Sequence, residues 1–154
     1  MQEVVELLKK NNKTISSMES CTGGGFINSL TNIEGASEVI QFSCVTYSNE
    51  YKIKMGVNQR IIDEYSVYSP ETAREMSKAI SNFTNSSFGV GITGKLNKVD
   101  INNMFGQNNV VYISIYDKNY NKYYDKSIKV DKELRYENKE LVINEIINIL
   151  KNIL

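Results

Sequence analysis

A turn near the start of the chain carries a hydroxyl and a thiol among small residues. Its sequence is Glu19-Ser20-Cys21-Thr22-Gly23-Gly24-Gly25. The turn is expected to join a strand to a helix, where unpaired backbone N–H groups beside the Ser20 hydroxyl bind a phosphate or an oxyanion. Taken alone, it is equally compatible with a need for flexible backbone. The glycine spacing matches neither the phosphate loop nor the dinucleotide-binding fingerprint.

The residue types limit which base can activate this serine. The sequence contains no histidine, which excludes a Ser-His-Asp triad, a Cys-His pair and a histidine metal site. A nucleophilic Ser20 needs a lysine made less basic by burial or by neighbouring cations, and Lys52 is the candidate. The alternative for Lys52 is a solvated helix lysine. Tyr47 either relays a proton or holds Lys52, or else it packs at the end of a strand.

Other polar side chains also have a chemical and a structural alternative. Cys21 is either a nucleophile at a helix start or a small buried thiol. Arg135 either contacts an anionic substrate or lies exposed on a helix. The carboxylates of Glu19 and Asp100 have no partner at metal-ligand spacing, so we expect no metal site.

Hydrophobic periodicity predicts the elements that position these residues. Helices are predicted at 4–8, after the glycine-rich turn, after Ser48, from Ser69 to Phe83 with Ser69 as cap, and from 131 onward; strands are predicted at 14–18, 39–47, 88–93, 110–115 and 123–130. The last two strands are expected to form a hairpin, and 94–109 a long functional loop. Gly89 and Gly91 predict the close approach of another backbone.

This order of elements predicts an α/β fold with three α/β/α layers. We expect a mixed, mostly parallel sheet of about five strands and a long C-terminal helix. In such sheets ligands bind beyond the carboxyl ends of the strands. Ser20, Tyr47 and Thr93 are all predicted to emerge at that edge.

Length and composition restrict the class of protein. We assign residues 1–154 to one domain, because 154 residues is a usual domain size. The 18 basic and 18 acidic residues provide no net positive field, so nucleic-acid binding is not expected. The chain start lacks a secretion signal, no apolar stretch is long enough for a membrane span, and two cysteines form no C-x-x-C motif. We therefore expect a cytoplasmic protein with free thiols; its apolar terminal helix is compatible with a homo-oligomer.

Several motifs together resemble a known family. In chain order they are Glu19-Ser20-Cys21-Thr22-Gly23-Gly24, Gly35-Ala36-Ser37, Val45-Thr46-Tyr47-Ser48-Asn49 with Lys52, Val67 with Ser69-Pro70-Glu71-Thr72-Ala73, and Thr93-Gly94. They resemble the C-terminal domain of the CinA competence/damage-inducible family, whose active members are nicotinamide-nucleotide amidases. The chain looks like this domain without the molybdopterin-binding-like domain that precedes it in longer members.

The resemblance implies a hydrolase of a small nucleotide substrate. It makes Ser20 the nucleophile, Lys52 its base and Tyr47 a catalytic partner. It implies substrate-binding positions at Cys21, Thr22, Gly23, Gly24, Thr93, Gly94 and Arg135, with Arg135 at the substrate phosphate and Lys139 where a second arginine is common. The implied reaction converts nicotinamide mononucleotide to nicotinic acid mononucleotide and ammonia. No cofactor is expected, because both steps are acid-base assisted acyl transfers.

The chain departs from the family pattern after Gly94. Members usually continue with a short Ala-Gly-Pro run, whereas this chain continues with Lys95-Leu96-Asn97-Lys98-Val99-Asp100. One expectation is that the pocket accommodates this segment, with Lys95 or Lys98 contributing positive charge. The alternative is a catalytically impaired nucleotide-binding or interaction domain with the same fold.

Overall fold

The computed structural model describes residues 1–97, 101 and 104–154. The elements, in chain order, are α1 (Gln2–Lys10), β1 (Ile15–Glu19), α2 (Gly25–Thr31), a 3₁₀ turn (Ala36–Glu38), β2 (Cys44–Val45), α3 (Asn49–Lys54), α4 (Gln59–Tyr65), α5 (Pro70–Thr84), β3 (Phe88–Gly94), β4 (Val110–Asp117), β5 (Lys122–Lys129) and α6 (Arg135–Ile153). Of the helices in the described residues, none is both long and apolar enough to cross a membrane.

The strands form one mixed sheet with the order β2-β1-β3-β4-β5. β1 pairs in parallel with β2 and β3, whereas β4 pairs antiparallel with β3 and β5. The predicted mixed sheet of five strands is confirmed, but its pairings divide evenly between parallel and antiparallel. Both antiparallel pairings involve β4, which forms the predicted hairpin with β5 and also pairs with β3.

Helices cover both faces of the sheet, as the three-layer prediction requires. One apolar cluster joins residues of α1, α2 and α6 to the strands, including Val5, Phe26 and Ile146. The second lies on the opposite face and joins α4 and α5 to Met18 of β1. At the start of α5, the Ser69 side chain accepts a hydrogen bond from the N–H of Thr72, which confirms the predicted cap.

Two local predictions were wrong. The segment predicted as a buried strand at 39–47 contains only the two paired residues of β2, and these lie at the exposed edge of the sheet. Phe83, predicted to lie in the buried stripe of α5, is 65% exposed. Its ring packs on Phe42, with ring centres 5.4 Å apart, so both aromatic side chains lie at the surface beside the edge strand.

β3 approaches α5 closely because glycines face the helix. A Cβ atom on Gly89 would overlap the carbonyl oxygen of Ser77, and one on Gly91 would overlap that of Ala73. The predicted close backbone approach is therefore confirmed. Because these two residues have no side chains, α5 packs directly on β3. This contact fixes the position of α5 relative to the sheet.

The turn between β1 and α2 is built around the carboxylate of Glu19, which is fully buried. Its oxygens accept hydrogen bonds from Ser17 Oγ (3.2 Å), Thr22 Oγ1 (2.7 Å), Gly24 N (3.1 Å), Phe26 N (3.2 Å) and Ile27 N (2.9 Å). These donors and the positive end of the α2 dipole compensate the desolvated negative charge. Glu19 thereby fixes where β1 ends and α2 begins.

Replacing Glu19 by glutamine tests this arrangement. The side chain keeps its size, but one acceptor oxygen becomes a donor nitrogen facing backbone N–H groups. We expect the free energy of unfolding, measured by urea denaturation, to fall by about 2–3 kcal/mol. As a control, Glu38→Gln removes a carboxylate paired with Lys9 at the surface and should cost less than about 1 kcal/mol. Equal unfolding midpoints for Glu19→Gln and the parent protein would contradict the role assigned to Glu19.

Candidate active site

Ser20 and Lys52 meet at the carboxyl end of β1. Ser20 directly follows β1 and is 6% exposed, and its N–H donates to the carbonyl oxygen of Ile92 in β3 at 3.0 Å. The distance from Lys52 Nζ to Ser20 Oγ is 3.1 Å, which is within hydrogen-bond range. The structure thus brings the predicted nucleophile and the predicted base into contact.

Burial makes Lys52 less basic than a surface lysine. Its side chain is 1% exposed, and desolvation lowers its pKa from 10.5 to about 8, opposed by a smaller effect of Cys21. No ion pair among the described residues includes Lys52. The amine can therefore lose its proton in weakly alkaline solution and act as a proton acceptor. The alternative of a solvated helix lysine was wrong.

The segment before α3 positions the lysine. The Ser48 side chain caps α3 by accepting a hydrogen bond from the N–H of Tyr51, at the predicted helix start. Two residues earlier, the N–H of Thr46 donates to the Glu19 carbonyl oxygen at 2.8 Å. The Thr46 carbonyl oxygen accepts a hydrogen bond from Lys52 Nζ at 2.7 Å. Thr46 is therefore fixed to the end of β1 and itself holds the lysine amine beside the serine.

Cys21 lies in the core as a neutral thiol. It is buried within the main apolar cluster, and burial raises its pKa to about 12 despite the opposing charges of Arg135 and Lys52. A thiol with this pKa is protonated at neutral pH and is a poor nucleophile. The structure therefore favours the second alternative for Cys21, and both cysteines are free, as predicted.

Fewer N–H groups of the turn are available to a ligand than the sequence indicated. The N–H of Gly23 donates to the Ser20 carbonyl oxygen at 3.0 Å, and that of Gly24 donates to the Glu19 carboxylate. Thr22 also donates its hydroxyl to that carboxylate. The N–H groups of Cys21 and Thr22 donate to no oxygen among the described residues. The expected oxyanion site is thus restricted to these two groups, because Glu19 already satisfies the start of α2.

Tyr47 and Arg135 lie together at the open side of the site. Tyr47 is 66% exposed, and its hydroxyl accepts a hydrogen bond from Arg135 Nη2 at 3.3 Å. One helical turn further along α6, Lys139 Nζ lies 3.3 Å from the position that a Cβ on Gly23 would occupy. Two cations therefore flank the turn. Tyr47 contacts Arg135 and has no hydrogen bond with Lys52 among the described residues.

Thr93 and Gly94 both contact the protein backbone around the site. Thr93 is fully buried, and its hydroxyl donates to the Val67 carbonyl oxygen at 2.8 Å. A Cβ on Gly94 would lie 2.5 Å from the Val110 carbonyl oxygen of β4. The Thr93 hydroxyl is thus already bonded and buried, and substrate binding at Thr93, which the family resemblance implies, stays a prediction.

Lys95 is bonded within its own loop. Its side chain is 3% exposed, and Nζ donates to the carbonyl oxygens of Met104 at 3.2 Å and Gly106 at 3.4 Å. The Lys95 amine is therefore committed to its own loop, and the expectation that Lys95 or Lys98 supplies charge to the pocket stays a prediction. Lys98, the other residue considered for that role, lies outside the described residues.

The two residues after Lys95 connect the loop to α6. Leu96 is buried in the main apolar cluster, and its carbonyl oxygen accepts a hydrogen bond from Arg135 Nη1 at 2.8 Å. The side chain of Asn97 accepts a hydrogen bond from Nδ2 of the fully buried Asn138 at 2.9 Å. The segment that departs from the family pattern thus helps to position Arg135.

Sequence reasoning missed what Glu19, Thr46 and Asn138 do. An acidic residue at a strand end, followed by a turn rich in N–H donors, is a signal that could have identified Glu19 as a cap. Thr46 acts through its backbone carbonyl, which has no signature in the sequence. Asn138 bonds to the backbone of Lys132, six residues earlier, and to the side chain of Asn97, 41 residues away in the chain. The contact with Asn97 depends on the tertiary fold.

Glu19 and Asp100 are the two acidic residues considered for metal binding. Glu19 is committed to the turn, and Asp100 lies outside the described residues. In the part of the chain that the structure describes, no group of three or more His, Cys, Asp or Glu side chains is placed to hold a metal ion.

Curated and solved proteins are similar to this chain. A CinA-like protein from Desulforapulum autotrophicum is 43% identical over 94 residues, which make up 60% of this chain and 22% of that protein. The chain thus matches less than a quarter of the length of this relative. A competence-damaged protein (CinA) superfamily structure from Escherichia coli has a TM-score of 0.90 at 19% identity, covering 99% of this chain and 87% of that chain.

A second solved structure supports the same architecture. The competence/damage inducible protein from Agrobacterium tumefaciens has a TM-score of 0.82 at 22% identity, covering 97% of this chain and 94% of that chain. At such identities the likeness establishes the fold. The family model described as the CinA C-terminal domain matches residues 1–153, a range that contains Ser20, Lys52 and Arg135. The chain therefore belongs to the CinA C-terminal domain family.

Proposed function

We propose that this protein is a nicotinamide-nucleotide amidase that hydrolyses nicotinamide mononucleotide to nicotinic acid mononucleotide and ammonia. Ser20 is the nucleophile and Lys52 its base. The observation that carries the proposal is the 3.1 Å contact between Lys52 Nζ and Ser20 Oγ. Burial lowers the lysine pKa to about 8, as a general base requires.

The chemistry consists of two acyl transfers. Neutral Lys52 takes the proton of the Ser20 hydroxyl as Ser20 Oγ bonds to the carboxamide carbon. The N–H groups of Cys21 and Thr22 are the available donors for the resulting oxyanion. Lys52 then gives the proton to the departing ammonia. Water, deprotonated by Lys52, cleaves the acyl-enzyme and restores Ser20.

The cationic side chains beside the turn are an argument for an anionic substrate. Arg135 and Lys139 approach the turn from α6, and the glycine at position 23 leaves space next to Lys139 Nζ. The hydroxyl of Tyr47 accepts a hydrogen bond from Arg135. We assign Tyr47 to positioning Arg135, and both cations to the substrate phosphate.

A second candidate function is nucleotide binding without turnover. It is favoured by the commitment of Lys95 and of the Gly23 and Gly24 N–H groups to bonds within the protein. These bonds leave fewer groups to stabilise a transition state. Binding of nicotinamide mononucleotide in calorimetry without ammonia release would support this candidate over the amidase.

Ammonia release from nicotinamide mononucleotide tests the nucleophile. Ser20→Ala should lower the rate by at least about a thousandfold, because no other group replaces the attacking hydroxyl. The control Ser37→Ala removes an exposed hydroxyl from the 3₁₀ turn and should leave the rate unchanged. An equal rate for Ser20→Ala and the parent protein would exclude the proposed mechanism.

The pH dependence tests the base. Because desolvation depresses the lysine pKa, the neutral amine accumulates as the pH rises, and kcat should rise with a midpoint near pH 8. Lys52→Gln should lower the rate by at least about a hundredfold and abolish this rise. Lys54→Gln changes an exposed lysine of the same helix, paired with Glu50, and should keep the parent profile. A parent rate that does not change between pH 6 and 10 would argue against Lys52 as base.

The phosphate assignment predicts a selective loss of affinity. Lys139→Ala should raise KM for nicotinamide mononucleotide about tenfold with a small change in kcat, because a contact to a non-reacting group is lost. For nicotinamide riboside, which lacks the phosphate, the same substitution should leave kcat/KM unchanged. A comparable loss with both substrates would show that Lys139 does not contact the phosphate.

A further inference from the structure

The hydroxyl of Thr46 is buried without a hydrogen bond. Thr46 is 2% exposed, and its Oγ1 has no hydrogen-bond partner among the described residues. Buried polar atoms are nearly always paired, because an unpaired one loses its bonds to water without replacement. An unpaired hydroxyl in a folded protein therefore indicates a partner that joins it in another state.

The backbone of Thr46 places this hydroxyl next to the lysine. The N–H of Thr46 is bonded to Glu19 and its carbonyl oxygen to Lys52 Nζ, at 2.8 Å and 2.7 Å. The residue is thus anchored on both sides of its Cα. Because the carbonyl oxygen of the same residue already binds the lysine nitrogen, we expect a rotation of the Thr46 side chain, or one water molecule, to join Oγ1 to that nitrogen.

The lysine needs one more acceptor when it is charged than when it is neutral. A neutral amine has two N–H donors and one lone pair, whereas an ammonium has three donors and no acceptor. Among the described residues Lys52 has two hydrogen-bond partners, the Thr46 carbonyl oxygen and Ser20 Oγ. With the lone pair of the neutral amine facing the Ser20 hydroxyl, one N–H is left without an acceptor, and one N–H is likewise left over in the ammonium formed by proton transfer. A hydrogen bond from the charged ammonium is about twice as strong as one from the neutral amine, so the missing acceptor matters most when Lys52 is charged.

We propose that the Thr46 hydroxyl is a positioning group that accepts this third hydrogen bond from the Lys52 ammonium. The inference rests on the proposed function, in which Lys52 becomes charged as it deprotonates Ser20. During that step the Ser20 O–H bond breaks, its proton bonds to the lone pair of Lys52 Nζ, and Ser20 Oγ bonds to the carbonyl carbon. A bond that is stronger for the charged lysine than for the neutral amine stabilises the transition state more than the enzyme with a neutral lysine, and so accelerates the reaction.

The charges around the lysine leave this role to a neutral acceptor. Cys21 is the titratable group that interacts with Lys52, and it is a protonated thiol at neutral pH. Glu19 and Arg135 act on Cys21, but the Glu19 carboxylate is bonded to the turn. The Thr46 hydroxyl is an unused acceptor on the residue whose carbonyl oxygen already binds the lysine nitrogen.

The substitution Thr46→Val removes the hydroxyl and keeps the shape. The pKa of Lys52, followed by NMR of ¹³C-labelled lysine in the full chain, should fall by about one unit, because the charged form loses an acceptor. Labelling of Ser20 by a fluorophosphonate, in which Ser20 Oγ bonds to phosphorus, fluoride leaves and Lys52 takes the proton, should slow about tenfold at high pH. The urea midpoint of unfolding, measured above the pKa of Lys52 where the amine is neutral, should stay equal or rise, because the lost hydroxyl makes no hydrogen bond in the structure. An unchanged lysine pKa together with an unchanged labelling rate would overturn the proposal, whatever the unfolding midpoint.

A second pair of variants distinguishes the effect of losing the hydroxyl from the effect of altered side-chain packing. Thr46→Ser keeps the hydroxyl oxygen and Thr46→Ala lacks it. The Thr46→Ser variant should therefore resemble the parent protein in lysine pKa and labelling rate, whereas the Thr46→Ala variant should resemble Thr46→Val. Equal behaviour of Ser and Ala would overturn the proposal even if Thr46→Val failed to fold. If Ser20 of the parent protein is not labelled at all, the proposed amidase fails. The lysine pKa in the Thr46 variants still tests the hydrogen bond independently.

Discussion

The arrangement of this site depends on one buried charge, the Glu19 carboxylate. Its side chain satisfies the first N–H groups of α2, and its carbonyl oxygen binds the N–H of Thr46. Thr46 in turn holds Lys52, which contacts Ser20. The end of β1, the start of α2 and the lysine of α3 are therefore connected through one residue. A desolvated carboxylate tolerates little displacement of its donors, so this connection is rigid.

The same interaction limits how the site can bind an anion. The start of a helix normally offers free N–H groups to a phosphate, but here Glu19 and the internal bonds of the turn take most of them. Positive charge reaches the turn instead from side chains of α6, Arg135 and Lys139. The chain has equal numbers of basic and acidic residues. Local placement of cations, and not net charge, makes the open side of the site positive.

The segment that differs from the family pattern is integrated into the fold by its own contacts. Lys95 binds carbonyl oxygens of its loop, Leu96 enters the core and Asn97 pairs with Asn138. A buried lysine, an apolar side chain and an amide pair supply anchors that a short glycine-containing run does not. These contacts support the view that the described part of the loop keeps Arg135 next to the turn.

The sequence by itself determined the features that depend on neighbouring residues. The Ser69 cap of α5, the β4–β5 hairpin, the glycine-rich corner after β1 and the helix start at Ser48 follow from short-range hydrogen bonding and periodicity, and the family motifs indicated that Ser20 and Lys52 act together. Only the tertiary structure decided which side chains are buried: Lys52 and Lys95 are, whereas Phe83 and most of the predicted strand at 39–47 lie at the surface. The sequence likewise did not reveal the lowered pKa of Lys52, the hydrogen bond of the buried Thr93 hydroxyl to Val67 or the unpaired hydroxyl of Thr46. Burial and hydrogen-bond partners depend on residues that are distant in the sequence and meet only after the layers have packed.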